Sequence, residues 1–417
     1  MEEKVLTKAV LVGVSKKGID SGECEKSLAE LERLLDTAGG VTFAKLIQSK
    51  ESENPKTCIG SGKLEELKDL CRNNDIHLVI FDTELSPAQI RNIEDVLEDV
   101  DVIDRSMLIL DIFALHATSA EGKLQVELAQ LKYTAPRLVG KGKQLSRQEG
   151  RIGTRGPGES KLESDRRHLA RRAAALEEAI RDIERTRATM RAARERSGLK
   201  KVAIVGYTNA GKSTLLNRLT DAGVLAENKL FATLDSTTRK LTLPEGTEVL
   251  ISDTVGFIRK LPHHLIKAFR STLDELKYAD ILVVLADASD DECAEQLKVT
   301  TDLIVQLGAG DKPVLYVFNK SDMAKDGMMF IGDTPRDAVF VSALMGMGIE
   351  KFLTMLEELA RAGTRRCVLR IPMSEQAVLG QLYKLATVES VEYLDDCMEV
   401  TAVLDTRAQG TFKKYIV

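Results

Sequence analysis

Apolar positions follow two different periods along the chain, and the changes of period divide it. From Val5 to about Arg105, apolar runs at Val10–Val14, Val41–Ile47, Leu78–Asp82 and Val100–Asp104 alternate with helical stretches at Cys24–Asp36, Lys63–Arg72 and Pro87–Leu97. The runs predict strands packed by the intervening helices, hence a small α/β domain over 1–107. From Leu108 the spacing is helical: Leu110, Phe113, Ala117, Ala120, Leu124, Leu128 and Leu131 recur at steps of three and four. That predicts one long amphipathic helix, ended by Pro136. A second stripe, Leu169, Ala173, Leu176, Ile180, Ile183 and Met190, predicts a helix within Lys161–Arg196 of about 50 Å. Each stripe is hidden most economically on the other, so 108–198 is expected to form a long antiparallel helical hairpin. Its connection, 137–160, is rich in glycine and cations and has no apolar period, which predicts a long exposed loop.

Short apolar runs resume at Val202–Val205, Val249–Ser252, Ile281–Ala286, Val314–Phe318 and Val339–Val341. They predict a second α/β domain over 199–363, with a mostly parallel sheet flanked by helices. After a hinge at Thr364–Arg366, a strand (Cys367–Ile371), a helix (Glu375–Leu385) and two strands (Val391–Tyr393, Met398–Leu404) predict a small C-terminal α+β appendage over 364–417.

Composition adds limits. With 417 residues, 43% hydrophobic and 29% charged, the chain needs several cores. No run of eighteen apolar residues and no leader-like N-terminus occurs, so a cytoplasmic protein is expected. Its six scattered cysteines lack metal-ligand spacing and read as reduced thiols. The net charge of −5 excludes a uniformly basic nucleic-acid binder.

The chemistry concentrates in the second α/β domain. Gly206-Tyr207-Thr208-Asn209-Ala210-Gly211-Lys212-Ser213 follows an apolar strand and opens a helix carrying Leu215, Leu216 and Leu219. Glycines there let backbone N–H groups close around phosphates, Lys212 can reach the β- and γ-phosphates, and Ser213 can ligate Mg²⁺. Asp253-Thr254-Val255-Gly256 ends the next strand. Asp253 can hold the Mg²⁺ shell through water, and the Gly256 N–H can contact the γ-phosphate. Asn319-Lys320-Ser321-Asp322 follows another strand; a carboxylate there accepts from guanine N1–H and N2, donors that adenine lacks on that edge. Ser342-Ala343-Leu344 fits a last guanine-contacting loop by order and spacing. The second Mg²⁺ ligand should be Thr233, Thr237 or Thr238, which spacing does not separate. Phe257 stands where many switch GTPases have a water-orienting Gln, so slow hydrolysis is expected until a partner acts. Arg259 and Lys260 are candidate charge stabilisers, with solvated surface residues as the plainer reading.

These motifs, with Phe231-Ala232-Thr233-Leu234-Asp235, resemble the HflX family of translation-associated GTPases. So do the long stretches Asp104–Phe113, Glu121–Gln130, Gly153–Glu159, Gly206–Thr214 and Asp253–Ile258. The resemblance covers nearly the whole chain; His116 and Ser106 depart from it. It implies GTP hydrolysis with Mg²⁺ and GTP or GDP bound, Thr233 on the metal, and Lys212, Thr233 and Gly256 as the catalytic set. It also implies binding to the large ribosomal subunit, with splitting or rescue of stalled ribosomes.

The residues point independently to RNA. Between Lys141 and Arg172 ten cations face four carboxylates. Lys141, Lys143, Arg147, Arg151 and Arg155 on the glycine-rich loop are candidate ribosomal RNA contacts through phosphate. Gly60-Ser61-Gly62-Lys63 looks like a short phosphate cradle, a candidate ATP site in the N-terminal domain, but it lacks the full spacing and has Leu64 where Ser or Thr should follow, so a strand-to-helix turn is the plainer reading. The rival functions are a GTPase switch for a protein or peripheral membrane partner and an ATP-driven RNA remodeller. A monomer is expected.

Overall fold

Three sheets organise the residues that the computed structural model describes: 7–16, 21–50, 52–138, 157–195, 199–220, 230–231, 237–260, 262, 265, 275–324, 338–362, 365–404 and 406–417. The first is parallel, in the order β2-β1-β3-β4, from β1 (Thr7–Lys16), β2 (Gly40–Lys50), β3 (Leu78–Phe81) and β4 (Asp101–Asp104). Ala9, Val10, Leu11 and Val12 are all buried, so β1 is covered on both faces and shows no polar alternation. Helices α1 (Ser21–Thr37), α2 (Ser61–Asn74) and α3 (Pro87–Leu97) bury Leu28, Leu31 and Leu34, then Leu64 and Leu67, then Ile90 and Ile93. A Ser86–Gln89 capping box and Pro87 in the first turn start α3.

The single helix expected from Leu108 is two helices, α4 (Arg105–His116) and α5 (Ala120–Leu138). Ala117 leaves the helical region at φ −68° and ψ 109°, and the Ser119 hydroxyl accepts from the Gly122 N–H to start α5. The apolar spacing crosses this break in phase, so periodicity alone conceals it. Pro136 does not end α5, which runs on to Leu138; so near a terminus the ring removes little of the hydrogen-bond ladder. Helix α6 (Pro157–Glu195) has 39 residues. Leu176 on its stripe is buried, while Leu169, Ala173, Ile180 and Ile183 are half-buried. Ion pairs Arg172–Glu127 and Lys132–Glu177, each 2.7 Å, join α6 to α5. The candidate RNA contacts Lys141, Lys143, Arg147, Arg151 and Arg155 lie outside the described residues.

The second sheet has the order β10-β9-β8-β5-β7-β6. Its parallel strands are β5 (Lys200–Gly206), β7 (Glu248–Asp253), β8 (Ile281–Asp287), β9 (Val314–Asn319) and β10 (Ala338–Phe340). The edge strand β6 (Thr238–Thr242) is antiparallel to β7 and was not expected from the sequence. Among the described residues, four helices accompany this sheet: α7 (Lys212–Leu219), α8 (Glu275–Tyr278), α9 (Cys293–Gln306) and α10 (Ile349–Arg361). Strand β5 lies between β8 and β7, which places the loop after Gly206 in the crevice at the carboxyl ends of the strands.

The third sheet is antiparallel, β11-β13-β12, from β11 (Arg365–Pro372), β12 (Thr387–Tyr393) and β13 (Cys397–Leu404). Helix α11 (Gln376–Leu385) follows β11. A further helix, α12 (Thr406–Phe412), leads the chain end back beside β11, where the Val417 N–H donates to the Val368 carbonyl at 2.9 Å. The order is that of a split β-α-β unit.

By contacts the chain forms two compact units. One comprises Met1–Asp182, Leu225–Asp235 and Val255–Leu273; the other comprises Ile183–Val224, Ser236–Thr254 and Asp274–Val417.

Candidate nucleotide-binding site

The loop after β5 has the geometry that its glycines predict. A Cβ on Gly206 would lie 2.2 Å from the Leu285 carbonyl oxygen, so β5 and β8 approach there only without a side chain. Gly211 caps α7 at φ +95°, and a Cβ on it would lie 2.2 Å from Asn319 Nδ2. Asn209 also has positive φ, at 63°. Tyr207, Thr208 and Ala210 are buried. Lys212 is 7% exposed, and its Nζ donates to the carbonyls of Gly206 (3.2 Å) and Tyr207 (2.9 Å). Burial pulls its pKa down to about 8, against the opposing attraction of Asp253.

Asp253, at the end of β7, is fully buried. Its Oδ2 accepts from the Ser213 hydroxyl at 2.7 Å, while Oδ1 has no hydrogen-bond partner. Burial raises the Asp253 pKa, opposed by Lys212, Ser213 and the Thr254 amide. A hydroxyl and a carboxylate with a spare buried oxygen suit a hard divalent ion that keeps its waters and its phosphate ligands, so the residues present fit Mg²⁺. Thr254 turns inward, donating to the Ile204 carbonyl at 2.7 Å, and Val255, Gly256 and Phe257 are buried.

At the end of β9, Asn319 is 2% exposed and ties two loops together. Its Nδ2 donates to the Ala210 carbonyl, and its Oδ1 accepts from the Ala343 N–H, both at 2.9 Å. Lys320, at φ 59°, pairs with Asp287 at 2.7 Å, a partner that the sequence did not disclose. The Ser321 N–H donates to the Val341 carbonyl, which leaves the Asp322 carboxylate exposed on the turn. Ser342 is buried and accepts from the Met345 N–H, while Leu344 is 73% exposed. The structure therefore brings 206–213, Asp253 and 319–322 with Ser342 and Ala343 to one end of the second sheet.

Of the three threonines weighed as metal ligands, Thr233 lies outside the described residues, with Ala232, Leu234 and Asp235. The Thr237 carbonyl accepts from the Asp253 N–H and Thr238 pairs with Ser252, so both belong to the β6–β7 edge.

Two segments beside these motifs pack within the N-terminal unit. The Phe231 ring meets Phe113 of α4 edge-on at 4.7 Å, and the Leu230 N–H donates to the Thr37 hydroxyl. Lys260 is not a free surface cation: its Nζ donates to Asp82 (2.6 Å) and Ser27 (2.8 Å). Arg105 donates to Asp82 at 2.8 Å, to Glu30, and to the Arg259 carbonyl at 3.3 Å. Both Phe231 and Lys260 have positive φ, a mark of backbone held by its surroundings. At the candidate N-terminal phosphate cradle, the Gly60 N–H donates to Gln48 and Lys63 pairs with Glu66.

A mostly parallel sheet with this phosphate loop, a strand-end aspartate beside it and an Asn-Lys-x-Asp turn defines a P-loop GTPase. Residues 25–114 match the N-terminal region of GTP-binding GTPases, 116–194 their middle region, and 201–320 the family described as 50S ribosome-binding GTPase. The chain belongs to the HflX family of GTPases and hydrolyses GTP. It is 50% identical to GTPase HflX of Lacrimispora saccharolytica over 87% of this chain and 84% of that one. It is 40% identical to GTPase HflX of Escherichia coli over 89% of this chain and 87% of that one. A solved GTP-binding protein of Sulfolobus solfataricus, in complex with GDP, is 26% identical, covering 86% of this chain and 99% of that one with a TM-score of 0.44. Among the described residues no helix is long and apolar enough to cross a membrane.

Proposed function

We propose that this GTPase is a cytoplasmic, monomeric factor of the large ribosomal subunit that splits or rescues stalled ribosomes, with GTP setting its grip. The carrying observation is the packing of Phe231 on Phe113 and of Lys260 on Asp82. The segments on either side of β6–β7 belong by contacts to the unit whose Met1–Asp182 span includes the basic stretch. GTP that orders Thr233 and Gly256 then acts on the N-terminal unit through these two contacts. Family membership, the description of the matched 201–320 region and the cations from Lys141 to Arg155 all favour a ribosomal RNA partner.

At the nucleotide, Lys212 leaves the Gly206 and Tyr207 carbonyls for the β- and γ-phosphates. Ser213 and Thr233 would hold Mg²⁺, with Asp253 holding it through water, and the bound ion would supply neutralisation of charge developing on the phosphates. The Gly256 N–H contacts the γ-phosphate, and Asp322 pairs with the guanine edge while Asn319 braces both loops. Phe257 offers no polar group to the attacking water, so hydrolysis accelerates on a partner.

Sedimentation with ribosomes tests the reading. The chain should travel with large subunits in a non-hydrolysable GTP analogue and leave them in GDP. Migration with vesicles alone, or with neither, would overturn it. Conversion of whole ribosomes into subunits under the same conditions tests splitting.

A further inference from the structure

Thr208 stands second after Gly206 in the phosphate loop, and its hydroxyl has no hydrogen-bond partner although the residue is 5% exposed. Two other buried threonines place theirs, Thr254 donating to Ile204 and Thr300 to Gln296, while the half-buried Thr42 in β2 also leaves its hydroxyl unmet. An unmet buried hydroxyl destabilises a fold unless something else uses it. The other orphaned oxygen in this site, Asp253 Oδ1, is accounted for by the metal shell.

We infer that the Thr208 hydroxyl donates a hydrogen bond to the terminal phosphate of GTP, a side-chain contact added to the backbone cradle. Two observations favour the terminal phosphate. The helix N-terminus that receives the inner phosphate begins at Lys212, four residues further on, and its amides already suit that group. A hydroxyl beside a cradle of N–H donors needs an acceptor, and phosphate oxygen is the acceptor that this loop is shaped to receive. Thr208 thereby distinguishes triphosphate from diphosphate.

Calorimetry of the full chain with Mg²⁺, using GDP and an imido-bridged GTP analogue, tests the assignment with Thr208→Val, Thr208→Ala and Thr208→Ser. In Thr208→Val, analogue affinity should fall at least about tenfold more than GDP affinity, equivalent to about 1.4 kcal/mol. Thr208→Ser, which keeps the hydroxyl, should restore the analogue. Should the valine variant lose GDP binding through misfolding, the alanine and serine variants carry the same comparison. Equal losses for GDP and analogue, or no loss for either, would overturn the inference. So would a serine variant that behaves like alanine.

Discussion

Asp82 offers a quantitative test of how the N-terminal unit holds the segment after Gly256. Its carboxylate is 3% exposed and accepts from Ser27 (2.7 Å), Arg105 (2.8 Å) and Lys260 (2.6 Å). The two cations differ in setting: the Arg105 side chain is 2% exposed and that of Lys260 is 48% exposed. Burial works against the Arg105 charge, yet Glu30 and Asp82 hold its pKa above the ordinary value. Asp82→Ala strands a buried guanidinium with one remaining carboxylate, a loss of about 3–5 kcal/mol. Lys260→Ala removes a half-solvated partner and should cost about 1 kcal/mol or less. Hydrogen exchange at the Val10–Val12 amides, in the strand beside β3, reports opening of this unit. At about 1.4 kcal/mol per tenfold, Asp82→Ala should speed their exchange by about a hundredfold or more, and Lys260→Ala by about fivefold at most. Equal effects of the two substitutions, or protection unchanged in Asp82→Ala, would refute the reasoning.

Three further outcomes follow from the nucleotide site. Asp322→Asn should weaken guanine nucleotides at least about tenfold in calorimetry and favour xanthine, whose O2 accepts from the new amide. Gly211→Ala should abolish nucleotide binding in a filter assay, because its Cβ meets Asn319 Nδ2 at 2.2 Å and φ is +95°. Lys212 has a folded-state pKa of about 8, below its ordinary value, so the unfolded chain binds a proton that the nucleotide-free fold releases. Stability of the nucleotide-free protein should therefore rise as pH climbs from about 8 towards 10.5 in thermal denaturation, and Lys212→Met should flatten that rise.

The strand-end runs 206–213, 253–256 and 319–322 were legible because each is contiguous and sits where residue type and backbone geometry coincide. The first sheet was legible for a related reason: strands such as β1 are apolar at consecutive positions and their helices carry clear stripes. Strand β6 escaped notice because Leu241 is its one buried residue, so it carries almost no period. The α4–α5 break was hidden by stripes that stay in phase across it. Helix α12 contains Gly410 and two threonines, poor helix formers that mask it. The Lys260–Asp82 contact joins residues 178 apart, and no local pattern encodes such a pairing.

The Asn319 amide carries a consequence for fidelity. One side chain spans the phosphate loop and the loop after β10; with the base held as proposed, a poor fit at the purine would be felt where the phosphoryl groups are gripped. Discrimination among nucleotides would then exceed what two hydrogen bonds at the base supply, because a wrong purine would also slacken the clasp on its own tail.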